Sequence, residues 1–134
     1  MIRSADVRLF QLMLQDIFQL KSRVNFRKNR VIRMDGASCF AVYEGYRINA
    51  KKHFHVVRLA TSEIKNQIDL FATMAHEYVH AWQMETDRDL DHEKEFETWR
   101  KHFLTCYNVD IVSMEPKTAQ DPVTLNEEDT RVLF

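Results

Sequence analysis

The stretch HEYVHAWQMETDRDLDHEKEFETW, residues 76–99, decides how this chain is read. Its first five residues, His76-Glu77-Tyr78-Val79-His80, lie in a segment from Thr61 or Ser62 to about Glu85 that predicts a long helix capped by one of those hydroxyls. Positions i and i+4 differ by about 40° around a helix, so both imidazoles fall on one stripe and can share one cation. Glu77, about 100° round from His76, falls beside that stripe, where a carboxylate can act as a base toward water held by the cation.

Around the same helix, Ile64, Ile68, Phe71, Ala75, Tyr78, Val79 and Trp82 fill one apolar arc, and Leu70, Met74, Ala81 and Met84 fill another. The histidines share the remaining stripe with Lys65, Asp69, Thr73 and Gln83, which predicts a helix gripped on both flanks and opening onto a cleft. Two rival explanations, a pair of hydrogen-bonded core histidines or an exposed pair without metal, fit that wheel less well. A catalytic zinc site usually takes three protein ligands. His92, twelve residues after His80, shares one face with Phe96, Trp99 and Phe103 on a second helix expected from about Asp91 to Tyr107, and burial of those aromatics would carry it inward. Asp91, Glu93 and Glu95 are possible substitutes, but each sits at least about 60° off that face. His102 is off it as well, while His53 and His55 belong to a strand region and read as ordinary polar residues.

Upstream, apolar residues at Val7, Phe10, Leu14, Ile17 and Phe18 predict an amphipathic helix from Asp6 to Lys21. The segment from Lys21 to Arg33 follows, with Lys21, Arg23, Arg27, Lys28, Arg30 and Arg33, one aromatic at Phe26 and no acid. Such a strip could follow a phosphate backbone, or simply be a solvated helix end and turn. Around Gly36 and Gly45, SCFAVYEGYRI and HFHVVRLA are rich in β-branched and aromatic residues, which predicts a small sheet of about three strands. After Ser113 the chain holds both prolines and little periodicity, so residues 114–134 are expected to form an extended or partly disordered arm, suited through Arg131-Val132-Leu133-Phe134 to a protein partner. The expected class is α+β.

Composition agrees with one compact domain: 134 residues, 45% hydrophobic, with nine Phe, four Tyr and two Trp against two Gly and two Pro. No apolar run approaches the roughly 20 residues of a membrane span, and the start lacks the apolar block of a secretory signal, so a cytoplasmic location is expected. Cys39 and Cys106 form no C-x-x-C pair, which argues against a disulfide framework or a zinc ribbon. The net charge of −1 conceals a division of +8 over residues 1–60 and −9 over residues 61–134.

His76-Glu77-x-x-His80-Ala81-Trp82, a short connection, and His92-x-x-x-Phe96 together resemble the SprT-like zinc metallopeptidase family. The resemblance covers roughly residues 5–107, and its most specific part is the H-E-x-x-H followed by H-x-x-x-F. It departs at Glu93, where the family usually has Gly, and nothing matches a C-terminal zinc ribbon, so DNA dependence does not carry over with it.

The resemblance implies a zincin-like fold: an N-terminal helix, a small sheet, an active-site helix and a second helix carrying the third histidine. It also implies a metallopeptidase domain over residues 1–113, zinc on His76, His80 and His92, and Glu77 as general base in peptide hydrolysis. Tyr43, Tyr46, His53 and His55 are the candidates for stabilising the oxyanion. Minimal forms without the ribbon are similar to bacteriophage proteins, which implies host cytoplasm or virion as the setting. The alternative is a structural or binding module, possibly virion- or DNA-associated, in which the metal serves the fold.

Overall fold

A computed structural model describes residues 2–112 and the backbone of 132–133. Three helices and a small mixed sheet make up the described part, an α+β arrangement. In chain order they are α1 (Ser4–Phe18), β1 (Val24–Asn29), β2 (Arg33–Met34), β3 (Ala37–Ser38), β4 (Ala41–Asn49), β5 (Lys52–Ala60), α2 (Gln67–Glu85), α3 (Lys94–Tyr107) and β6 (Val132–Leu133). The main sheet runs β4-β5-β1-β6, with β5 antiparallel to β4 and parallel to β1. β2 and β3 form a separate ribbon.

The sheet is larger than the three strands expected, because the basic segment supplies one of them. Within Val24–Asn29 the side chains alternate: Val24 and Phe26 are buried, while Asn25 and Arg27 are half-buried on the other face. Six cations hid a V-x-F strand pattern. β6 comes from the segment expected to be an arm; Arg27 pairs with Leu133 and Lys28 with Val132. The rest of residues 113–134 lies outside the described residues.

Both faces of the sheet are covered. On one, Val24, Phe26, Tyr43, Val57 and Leu59 join α1, α2 and α3 in the principal core. On the other, Ile32, Cys39, Val42 and Ala60 form a smaller cluster under the ribbon. α1 docks through Val7, Leu14 and Phe18, and the Tyr78 hydroxyl donates to Gln15 Oε1 at 3.0 Å, tying α1 to α2.

Two helix starts differ from expectation. α2 begins at Gln67, capped by Asn66, whose Oδ1 accepts the Asp69 N–H at 2.8 Å. Thr61 and Ser62 instead continue the sheet connection, their N–H groups bonding the carbonyls of Asn29 and Arg30. α3 begins at Lys94 instead of Asp91. Asp91 Oδ1 accepts the Glu93 N–H at 3.1 Å, folding residues 91–93 into a turn, so His92 precedes the second helix and is not carried on it.

Candidate metal centre

α2 is buried on all sides through its middle: every residue from Leu70 to Ala81 is buried, and so is Gln83. This corrects the expected cleft, since His76 is 3%, Glu77 4% and His80 0% exposed. The stripe is closed by the turn and helix that follow. Phe96 lies with its ring centroid 4.7 Å from His76, 5.7 Å from His80 and 4.8 Å from His92. Burial of Phe96 thus brings His92 inward, although the residue stands on a turn.

The three imidazoles meet through one kind of atom. His92 Nε2 lies 3.1 Å from His76 Nε2 and 3.2 Å from His80 Nε2. Tetrahedral zinc with bonds of about 2.0–2.1 Å separates its nitrogen ligands by about 3.3 Å. The opposite ring nitrogens decide which protons are present. His76 Nδ1 lies 2.9 Å from the Ile111 carbonyl, an acceptor only, so this nitrogen carries the hydrogen. Gln83 Nε2 donates to the Asp91 carbonyl at 3.1 Å, which turns Gln83 Oε1 toward His80 Nδ1 at 2.9 Å, where it accepts a second ring N–H. In their neutral forms His76 and His80 therefore direct bare Nε2 lone pairs at the same point.

The electrostatics keep them neutral. Burial, reinforced by His80 and His92, holds His76 well below the ordinary histidine value, and burial pushes His80 down to about 4 against the Gln83 hydrogen bond. Converging lone pairs with few protons among them are a poor resting arrangement without a cation and a good donor set for one. The three residues form a group that could hold a metal ion, as the spacing predicts, and this donor set fits zinc.

Toward the sheet, a second polar chain runs beside α2. Glu85 accepts the main-chain N–H groups of Lys21 at 2.9 Å and Ser22 at 2.8 Å, and also lies 2.9 Å from His55 Nε2. Those bonds hold the Glu85 carboxyl below its usual range despite desolvation, so His55 Nε2 donates to it and His55 Nδ1 accepts the Tyr43 hydroxyl at 2.6 Å. Burial, with the nearby charges of Glu85 and Glu77, raises the Tyr43 phenol. Tyr43 lies with its ring 6.4 Å from His80, and its proton is already committed to His55. His55 stands one step back, and His53 stacks against it at 5.8 Å. Tyr46, on the opposite face of β4, bonds Glu44.

Sequence reading left Gln83 and Glu85 without roles, although both stand within one turn or so of His80. Trp82 is half-buried against Trp99 with Arg88 over its ring at 4.4 Å. The residues of the basic strip are divided among several elements. Lys21 and Arg23 join Arg8 along an open groove of about 570 Å³. Arg27 and Lys28 lie on β1, Arg30 follows it, and Arg33 enters β2. No described helix is long and apolar enough to cross a membrane.

No curated protein and no solved structure matches the chain. A family model, that of the SprT-like family, matches residues 7–117, which include all of the described centre through Val112. With that match over most of its length, the chain belongs to the SprT-like family.

Proposed function

We propose that the protein is a zinc-dependent endopeptidase of zincin-like architecture, with residues 1–113 as the metallopeptidase domain and 114–134 as an arm whose Val132–Leu133 pair with β1. The observation that carries this reading is the convergence of three Nε2 atoms, two of them stripped of protons by the Ile111 carbonyl and Gln83 Oε1. His76, His80 and His92 would hold the ion. Zinc, when bound, supplies Lewis acidity that lowers the pKa of water and polarises a carbonyl. Glu77, next to His76 and 4% exposed, takes the proton from the attacking water on a carboxylate oxygen and returns it to the departing amine.

The test compares zinc-loaded wild type with Glu77→Gln on a denatured protein substrate. A fall in cleavage of about 100-fold or more at equal zinc content is expected. Equal cleavage removes Glu77 from the reaction.

The same burial favours a second reading, a structural or binding module in which zinc clamps the turn at His92 to α2. Under that reading neither protein cleaves, while zinc still raises thermal stability in both. A nucleic-acid partner is a further proposal, supported by the grouping of Arg8, Lys21 and Arg23 along one groove. Its check is the affinity for single-stranded DNA as salt rises, which falls with a slope set by the phosphates contacted.

A further inference from the structure

We propose that Gln83 is a positioning residue that couples two of the metal-binding histidines, fixing the ring of His80 and holding the turn that delivers His92. This rests on the metal-centre reading above. Gln83 is 0% exposed, and both ends of its amide are used in a directional way. Three residues after His80, it lies on the same side of α2, and its Oε1 takes the His80 Nδ1–H at 2.9 Å. Its Nε2 reaches in the other direction, donating at 3.1 Å to the carbonyl of Asp91, the residue bonded to His92. Its main-chain carbonyl accepts the Arg88 N–H at 2.8 Å, so residue 83 holds the connection between α2 and α3 at two points.

The consequence concerns His92 above all. His76 and His80 share a helix, so their spacing is set by backbone hydrogen bonds. His92 stands on a turn closed by Asp91 Oδ1 and the Glu93 N–H. The Gln83 amide group ties that turn directly to a residue that orients another ligand. A side chain that both accepts and donates is needed; glutamate can serve His80 but leaves the Asp91 carbonyl facing a carboxylate, and methionine serves neither.

The experiment measures Co2+ and Zn2+ affinity, the Co2+ absorption spectrum and the rate of metal release to a chelator for wild type, Gln83→Met, Gln83→Glu, His92→Ala and the Gln83→Glu/His92→Ala double variant. Methionine is expected to weaken affinity by about 10- to 100-fold. Glutamate is expected to recover much of that affinity through His80, while releasing metal about tenfold faster than wild type with an altered Co2+ spectrum. Adding Gln83→Glu to His92→Ala is expected to change release little, because the faster release passes through His92. Wild-type release from Gln83→Glu, or wild-type affinity in Gln83→Met, overturns the coupling. If the methionine variant fails to fold, the glutamate and double variants still decide. Absence of metal binding by wild type overturns the metal-centre reading itself, a separate outcome.

Discussion

Two buried histidine clusters flank α2, and they are solved in opposite ways. Toward the sheet, His55 stands between a donor and an acceptor: Tyr43 gives it a proton to share and Glu85 receives one. Each nitrogen of His55 is matched by a protein group of complementary kind, so this ring is complete, while the stacked His53 keeps a buried Nε2 without a hydrogen-bond partner among the described residues. Toward α3, the protein places matching acceptors behind His76 and His80, and thereby faces their remaining lone pairs toward each other and His92. The lesson is that burial of histidines does not by itself distinguish structure from metal binding. The partners on the far nitrogens do.

The contrast can be broken most directly by removing metal. With zinc at about a thousandfold excess over Kd, chelation is expected to lower the unfolding free energy by about 4 kcal/mol. His55→Ala should lose the same increment on chelation, as measured by denaturant unfolding with and without chelator. An unfolding curve indifferent to the chelator would leave the two clusters alike.

A smaller effect tests the sheet side. Glu85→Gln keeps the shape and removes the charge that accepts from His55, Lys21 and Ser22, at a cost of about 1–3 kcal/mol. Zinc stoichiometry by metal analysis should stay unchanged; its loss would show that the two clusters act as one.

Acid sharpens the comparison further. In the metal-free protein His76 and His80 stay neutral while an unfolded chain takes up protons below about pH 6.5. The unfolded state then binds more protons, so stability is complete above pH 6.5 and declines as pH falls toward about 4, where His80 titrates in the fold. Each such group contributes up to about 1.4 kcal/mol per pH unit within its window. His55, lowered by burial, acts with the same sign. Glu85, lowered by its hydrogen bonds, adds a loss only further down, as pH falls below 4.5. Thermal unfolding of the metal-free protein across pH 4–7 is the check, and His80→Gln is expected to flatten the profile.

Much of the candidate centre was legible because its logic is local. Two histidines at i and i+4 meet whenever α2 forms, and the spacing of His92 to Phe96, Trp99 and Phe103 marked an inward face even though the helix starts after His92. What was hidden depends on partners distant in sequence. The carbonyl of Ile111 carries no side-chain signature, and Glu85 is recognised only once the turn after α1 lies against it. The strand at Val24–Asn29 was masked for another reason: Arg27 and Lys28 sit within it among four further cations of the same segment, and a period of two over so few residues is easily lost among six charges. The expected cleft failed because a helical wheel describes one helix and cannot include the Phe96 ring that covers it.

The placement of His92 on a turn also bears on the order in which the centre assembles. His76 and His80 come together as soon as α2 is formed, whereas His92 must close the connection over residues 86–92, an entropic cost of about 2 kcal/mol. The third imidazole is accordingly expected to arrive last during folding and to leave first on unfolding, so an ion caught early by the helical pair would recruit the rest of the chain, drawing α3 down onto the core behind it.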